Sequence, residues 1–190
     1  MIRVVVFTIA VWAIVLCMGE SSSAQSPRYG LYDRAEVLEV YSPNIIKLRL
    51  KKRGRVVHVR LLGVGSPRNR DRIRTLDAGI RHYIESNDIW NESRNYVRSL
   101  LRSRLLEVWA RKWNRFDEKR RLLVYLVAPN FRDQQLDVNG EIIRRGLGFV
   151  TRDYVHVTYV EYKRLENEAK RNRRGIWKAL STQRLSSLNQ

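Results

Sequence analysis

Beyond an apolar run from Val4 to Met18, the chain is patterned in short segments where apolar and charged residues take turns. Successive side chains of an extended backbone point to opposite faces, so period-two alternation predicts half-buried strands. Residues 34–41 carry it. Residues 45–52 repeat it, with Ile46, Leu48 and Leu50 set against Lys47, Arg49 and Lys51, and 56–64 follow suit. Ser42-Pro43-Asn44 and Arg53-Gly54-Arg55 between them read as turns, which predicts a three-stranded meander. Residues 68–88 are polar and arginine-rich, with weak helical spacing at Ile73, Leu76 and Ile80. Behind Asn91, a suitable N-cap, Val97, Leu100, Leu101 and Leu105 recur at helical spacing and predict the first strong helix. Two further strands are expected over 106–113 and 122–128. A short helix over 138–145 stops at Gly146, and a last helix over 157–173 places Tyr159, Tyr162, Leu165 and Ala169 on one stripe.

Three strands, a helix, two strands and two helices form the order of an α+β, mainly β, domain. The expected architecture is a five-stranded Greek-key OB-fold barrel with about three helices. A length of 190 residues suits one such domain with short tails. The expected organisation is a signal peptide or N-terminal anchor over 1–24, a linker over 25–33, the domain over 34–178 and a tail over 179–190. The apolar run is short for a membrane span, and Ser22 and Ala24 suit the small-residue positions before a cut at Gln25. That predicts a secreted or periplasmic protein. The alternative is an uncleaved single-pass anchor that contacts a membrane through residues 4–18. Cys17, the one cysteine, lies in that run, so a cleaved chain has no thiol chemistry.

Charge narrows the partner. Against 19 Asp and Glu stand 37 Lys and Arg, a net +18 in which arginine dominates. The guanidinium fork matches phosphate, which points to nucleic acid or another polyanion rather than to a small-molecule cofactor. Lys51, Arg53 and Arg55 at the hairpin tip, and Lys170, Arg171 and Arg174 at the end of the last helix, are the expected contacts. His58, His82 and His156 have no ligand spacing, so they predict no metal site. Trp109 and Trp113 share a strand face and would offer stacking surfaces if exposed. Arg144 and Arg145 precede the Gly146 stop, where cations also satisfy a helix end.

Four segments, in order, resemble the staphylococcal-nuclease-like (thermonuclease) family. They are Val37-Leu38-Glu39-Val40 leading into Ile46-Lys47-Leu48, then Val59-Arg60-Leu61-Leu62-Gly63-Val64-Gly65-Ser66-Pro67, then Arg121-Leu122-Leu123-Val124-Tyr125 with Asp117 before it, and finally 138–148. The charged helix ending in Gly175-Ile176-Trp177 is also similar, so the resemblance spans 34–177. It implies Arg60 and Arg121 as phosphate clamps. It also implies calcium carboxylates at the positions held here by Asn44 and Gly65, a hydroxyl neighbour at Ser66, and a general-base glutamate where Arg68 stands. Calcium takes hard, charged oxygen ligands, and arginine stays protonated and cannot accept a proton from water. The resemblance therefore implies binding of nucleic-acid phosphodiesters with the standard calcium site lost. No cofactor is expected, and calcium only if a displaced carboxylate such as Asp71 or Asp77 reaches the site. Two alternatives stand beside this reading: an active secreted phosphodiesterase that uses such displaced carboxylates, and a membrane-anchored, non-catalytic scaffold.

Overall fold

Alternation near the start of the chain becomes its longest strand, β1 (Tyr29–Ser42). In the computed structural model, which describes residues 29–68, 73–112, 115–129 and 135–179, β1 pairs antiparallel with β2 (Ile45–Leu50) on one edge and β5 (Leu105–Arg111) on the other. Breaks of register between Val37 and Glu39, and between Leu31 and Asp33, let so long a strand coil around a barrel. The strand starts earlier than position 34: Tyr29, Gly30 and Leu31 pair with Arg111, Ala110 and Trp109, so 29–33 is barrel wall and not linker. Alternation fails there because Asp33 is buried. Its carboxylate accepts hydrogen bonds from the N–H groups of Arg34 (2.8 Å) and Lys52 (3.0 Å), fastening the hairpin to β1.

β3 (Val56–Leu61) pairs antiparallel with β2 and in parallel with β6 (Leu122–Pro129), and β6 pairs with β5. The ring β1-β2-β3-β6-β5 is thereby closed, which leaves these five strands without free edges. Inside lie Ile46, Leu48, Leu50, Val59, Leu61, Leu106 and Val108, while Arg49 and His58 face out. β7 (Gln135–Asp137) adds to β6, and β4 (Val64–Gly65) pairs with β8 (Phe149–Val150). Such strands of two and three residues are too short to show a period, so no sequence pattern predicts them.

Among the described residues four helices cover the barrel, close to the expected three. α1 (Ala78–Ser86) forms inside the polar stretch, capped by Asp77, whose Oδ1 accepts the Gly79 N–H at 2.8 Å. Its Ile80 and Ile84 join Phe149, Ala169, Ile176 and Trp177 in a second, smaller core. α2 (Ile89–Leu101) starts two residues ahead of Asn91. Asp88, at φ 46°, precedes it, and Asn91 sits in the first turn donating from Nδ2 to Asp88 Oδ2 at 2.5 Å. α3 (Val138–Arg144), α4 (Tyr159–Arg171) and a 3-10 turn (Gly175–Ala179) complete the fold. Asn139, wholly buried on α3, bonds three backbone groups of the barrel: it accepts from the Leu126 N–H (3.2 Å) and donates to the carbonyls of Leu62 (3.0 Å) and Val124 (3.1 Å). Among the described residues no helix is long and apolar enough to cross a membrane. The apolar run, Cys17 and the tail from 180 lie outside the described residues.

Glu166 on α4 gives the fold a pH dependence. Burial opposes its charge, but hydrogen bonds from Lys163 and from the Val150 N–H, with the charge of Lys170, outweigh that and hold its carboxyl below the ordinary 4.5. A depressed folded-state value adds stability that is complete above the unfolded value and is lost as pH falls through the folded one. Melting temperature should hold steady down to about pH 4.5 and fall below it. In Glu166→Gln the melt should start lower and decline less over the same acid range; an equally steep decline would remove Glu166 as the source.

Candidate functional site

The parallel register sets Arg60 of β3 opposite Leu123 of β6, and Arg121 immediately precedes β6, so ring closure brings both arginines to neighbouring strands. Each meets a carboxylate. Arg60 Nη2 donates to Asp153 Oδ2 at 2.6 Å, and its guanidinium lies 5.1 Å from the centroid of the Tyr154 ring. Asp153 Oδ1 accepts in turn from the Thr151 hydroxyl. Arg121 donates through Nε to Asp117 Oδ2 at 2.6 Å, with Nη2 also 2.6 Å from that oxygen in the ion pair, while Asp117 Oδ1 accepts the N–H groups of Lys119 and Arg121.

The two pairs differ in access to water. The Asp117 side chain is 0% exposed and Arg121 15%, whereas Asp153 is 40% exposed. Close by, the Tyr154 hydroxyl donates to Glu118 Oε2 at 2.5 Å. That bond pulls the Glu118 carboxyl below its ordinary range, helped by the charge of Arg60. Burial, then the same bond, push Tyr154 up to about 12, with Arg60 acting against them. The acids gathered at the arginines are thus Asp117, Glu118 and Asp153. Asp77 is occupied as the α1 cap, and Asp71 lies outside the described residues.

Asn44 is buried in the turn between β1 and β2, and both ends of its amide are engaged. Oδ1 accepts from the Ser42 hydroxyl (2.9 Å), and Nδ2 donates to the Val64 carbonyl (2.9 Å). Gly65 offers no side chain, although a Cβ built there would meet Phe149 and Thr151 at 3.5 to 3.7 Å, ordinary contact distances. Ser66 Oγ accepts the Arg68 N–H at 3.3 Å. Arg68 lays its guanidinium over Trp90 of α2, 3.8 Å from the ring centroid, with Arg94 at 5.3 Å from the same ring. A neutral amide already hydrogen-bonded, a glycine and a cation do not make a donor set for calcium. Among the described residues no group of three or more His, Cys, Asp or Glu could hold a metal ion.

Most of the basic residues expected to touch a polyanion are tied into the fold. Lys51 pairs with Glu36, and Arg53 pairs with Asp33 (3.2 Å) and lies over the Tyr32 ring. Lys170 pairs with Glu166 (3.4 Å) and lies over Trp177, and Arg174 pairs with Glu168 (2.8 Å). Arg55 and Arg171 are exposed. His58 is exposed beside Tyr41, whereas His156 is buried between the Thr151 carbonyl and Thr158 Oγ1, and that burial lowers its pKa. Trp109 is half-buried against the core with its indole N–H on Glu107, and Trp113 lies outside the described residues.

The sequence profile of the SNase family, the staphylococcal nuclease homologues, matches residues 58–179. The chain belongs to the staphylococcal nuclease homologue family. The match starts on β3 just before Arg60, takes in Arg121 and closes with the 3-10 turn, so it covers both arginines and leaves Asn44 outside. No curated protein matches the chain. Membership agrees with the closed barrel and associates the domain with nucleases and nucleic-acid binding. Reading the sequence misses Asp153, Tyr154 and Glu118. Only Asp117 has a local signal, standing four residues before Arg121 next to the acid that caps Tyr154.

Proposed function

We propose that this staphylococcal nuclease homologue holds nucleic-acid phosphodiesters at Arg60 without calcium-dependent cleavage. One observation carries the reading: an arginine of the family's clamp position is present on β3, while the neighbouring positions hold an amide committed to the backbone, a glycine and an arginine stacked on Trp90. Nothing in that set can gather a calcium ion or deprotonate a water. The Asp153 carboxylate sits on the guanidinium as a phosphate oxygen would, in a charge-assisted bond. The Arg60 side chain is 18% exposed, close to Arg121, but its carboxylate partner is 40% exposed, and an ion pair open to water on that side is worth about 0–1 kcal/mol, so a phosphate can displace Asp153. Arg121 is different. Its partner is fully shielded and also organises the turn into β6, so Arg121 serves the scaffold and Arg60 the ligand. The net +18 supplies long-range attraction for the strand.

Fluorescence anisotropy with labelled single-stranded DNA or RNA tests the reading. Affinity should fall steeply with salt, because bound phosphates release counterions; a flat dependence would remove phosphate contacts as the driver. Added calcium should produce no cutting. Calcium-dependent cutting that disappears in Arg60→Ala would overturn the non-cleaving reading, and loss in Glu118→Gln as well would point to the acids around Tyr154. Replacing the internal competitor gives a gain: Asp153→Asn should tighten binding by roughly fivefold, the equivalent of about 1 kcal/mol. Unchanged affinity in that variant would take Arg60 out of the interface.

A further inference from the structure

The chain contains the tripeptide Arg-Arg-Gly twice, as Arg144-Arg145-Gly146 after α3 and Arg173-Arg174-Gly175 after α4. Both glycines are left-handed, at φ 68° and 53°, each turning the chain away from a finished helix. The two turns are packed back to back. The Ile176 N–H donates to the Gly146 carbonyl at 2.9 Å, and a Cβ on Gly146 would stand 2.2 Å from the Arg174 carbonyl oxygen. This contact sets two arginine pairs from distant parts of the sequence on one rim, which neither Asp153 nor Arg60 lines.

The rim borders a cleft of about 530 Å³ between α2, the end of α3 and the 3-10 turn. Five of its nine lining residues are cationic: Arg144, Arg145, Arg173, Arg174 and Lys178; Glu92 is the one acid. Helix capping and internal ion pairs explain part of this. Glu141, beneath the cleft, binds Arg144 through Nε and Nη2 and Arg145 through Nε, and takes the Tyr96 hydroxyl at 3.1 Å. One carboxylate thereby orients two guanidiniums, and its bonds leave Nη1 of Arg144 and both Nη nitrogens of Arg145 outside them. Arg145 also lies over Tyr96, 4.8 Å from the ring centroid, which fixes a planar cation in the cleft wall. Arg174 is held by Glu168 and by the Arg144 carbonyl. Pre-oriented guanidiniums of one sign around a concave surface favour phosphate, and an arginine beside an aromatic ring adds a surface on which a base can stack.

We infer that the twin Arg-Arg-Gly cleft is a second nucleic-acid subsite, in which a single strand lays its phosphodiester backbone along Arg145, Arg173 and Lys178. This rests on the nucleic-acid reading above and places part of the strand at a surface separate from Arg60.

The test uses the full chain and a labelled oligothymidylate. Charge reversal at the solvent side of the cleft, Arg173→Glu with Lys178→Glu, should weaken binding by about 10- to 100-fold and lower the slope of log affinity against log salt by about 1.4, two contacts at roughly 0.7 each. Arg49→Glu with Arg98→Glu carries the same change of net charge on exposed positions elsewhere and should bind at least about tenfold more tightly than the cleft variant. Circular dichroism checks that both are folded. A second readout needs no substitution: the oligonucleotide should shield Arg145 and Arg173 of the unaltered protein from phenylglyoxal, mapped by mass spectrometry. Equal affinity and slope in cleft and control variants, or no shielding, would overturn the subsite while leaving the binding function standing. Failure of the unaltered protein to bind would take down the function reading and the subsite together.

Discussion

Alanine at Asn139 should lower the unfolding free energy by about 3–5 kcal/mol. The side chain is wholly buried, and its removal strands an N–H on Leu126 and carbonyls on Leu62 and Val124, each at about 1–3 kcal/mol if left unpaired. The Val124 carbonyl retains the Leu62 N–H as a partner at 2.9 Å, which keeps the total below the sum of three full losses. In a domain of this size each kcal/mol moves the melting temperature by roughly 2–4 °C, so a fall of about 6–20 °C is expected in a circular dichroism melt. A change under about 1 kcal/mol would mean that the amide does not fasten α3 to the barrel.

Gly146→Ala and Gly175→Ala should be more severe, with loss of at least about 4 kcal/mol and of most soluble protein. Left-handed φ at an alanine costs about 1 kcal/mol by itself. The remainder is overlap between backbones, since the added Cβ would lie 2.2 Å from a carbonyl oxygen in either variant, and no rotamer relieves a Cβ. Gly54→Ala separates the two effects. Gly54 has φ 60° but nothing within 4 Å of a Cβ, so its variant should lose only about 1 kcal/mol. Urea midpoints of the three variants check the order; a Gly146→Ala midpoint close to that of Gly54→Ala would show that the two turns can slide apart.

How much of this was legible in the sequence follows from how local each feature is. The meander and β6 are visible because Ile46, Leu48 and Leu50, and the run at 122–128, repeat within a few residues. α3 and α4 are visible because Gly146 stops one and the Tyr162 and Ala169 stripe marks the other. β4 with β8, and β7, are not, since Val64 and Val150 gain strand character only from each other across the fold. α1 was obscured by arginines around a thin apolar face that finds its partner, Trp177, at the far end of the chain. The start of α2 lies two residues before the position its sequence suggests, because Asn91 has the chemistry of a cap but serves Asp88 from inside the first turn.

The candidate site divides in the same way. Position along β3 and before β6 locates Arg60 and Arg121, and the four-residue spacing hints at Asp117. The partner of Arg60 comes from the loop after β8, far beyond the reach of any local pattern, so the sequence shows a clamp where the fold has a clamp already holding a carboxylate. Asn44 reads as a weakened ligand and is found as a structural tie between the first turn and β4.

The parallel pairing of β3 with β6 has a consequence for how the chain reaches its native state. Every other pairing in the ring is antiparallel, and β1, β2 and β3 can zip through short hairpins as soon as they exist. The seam between Arg60 and Leu123 cannot form until, among the described residues, β4, two helices and β5 have been laid down between its halves. Loop-closure entropy opposes that step before any contact rewards it. Until then β3 presents an open ladder of N–H and carbonyl groups, an edge on which a second nascent chain can pair.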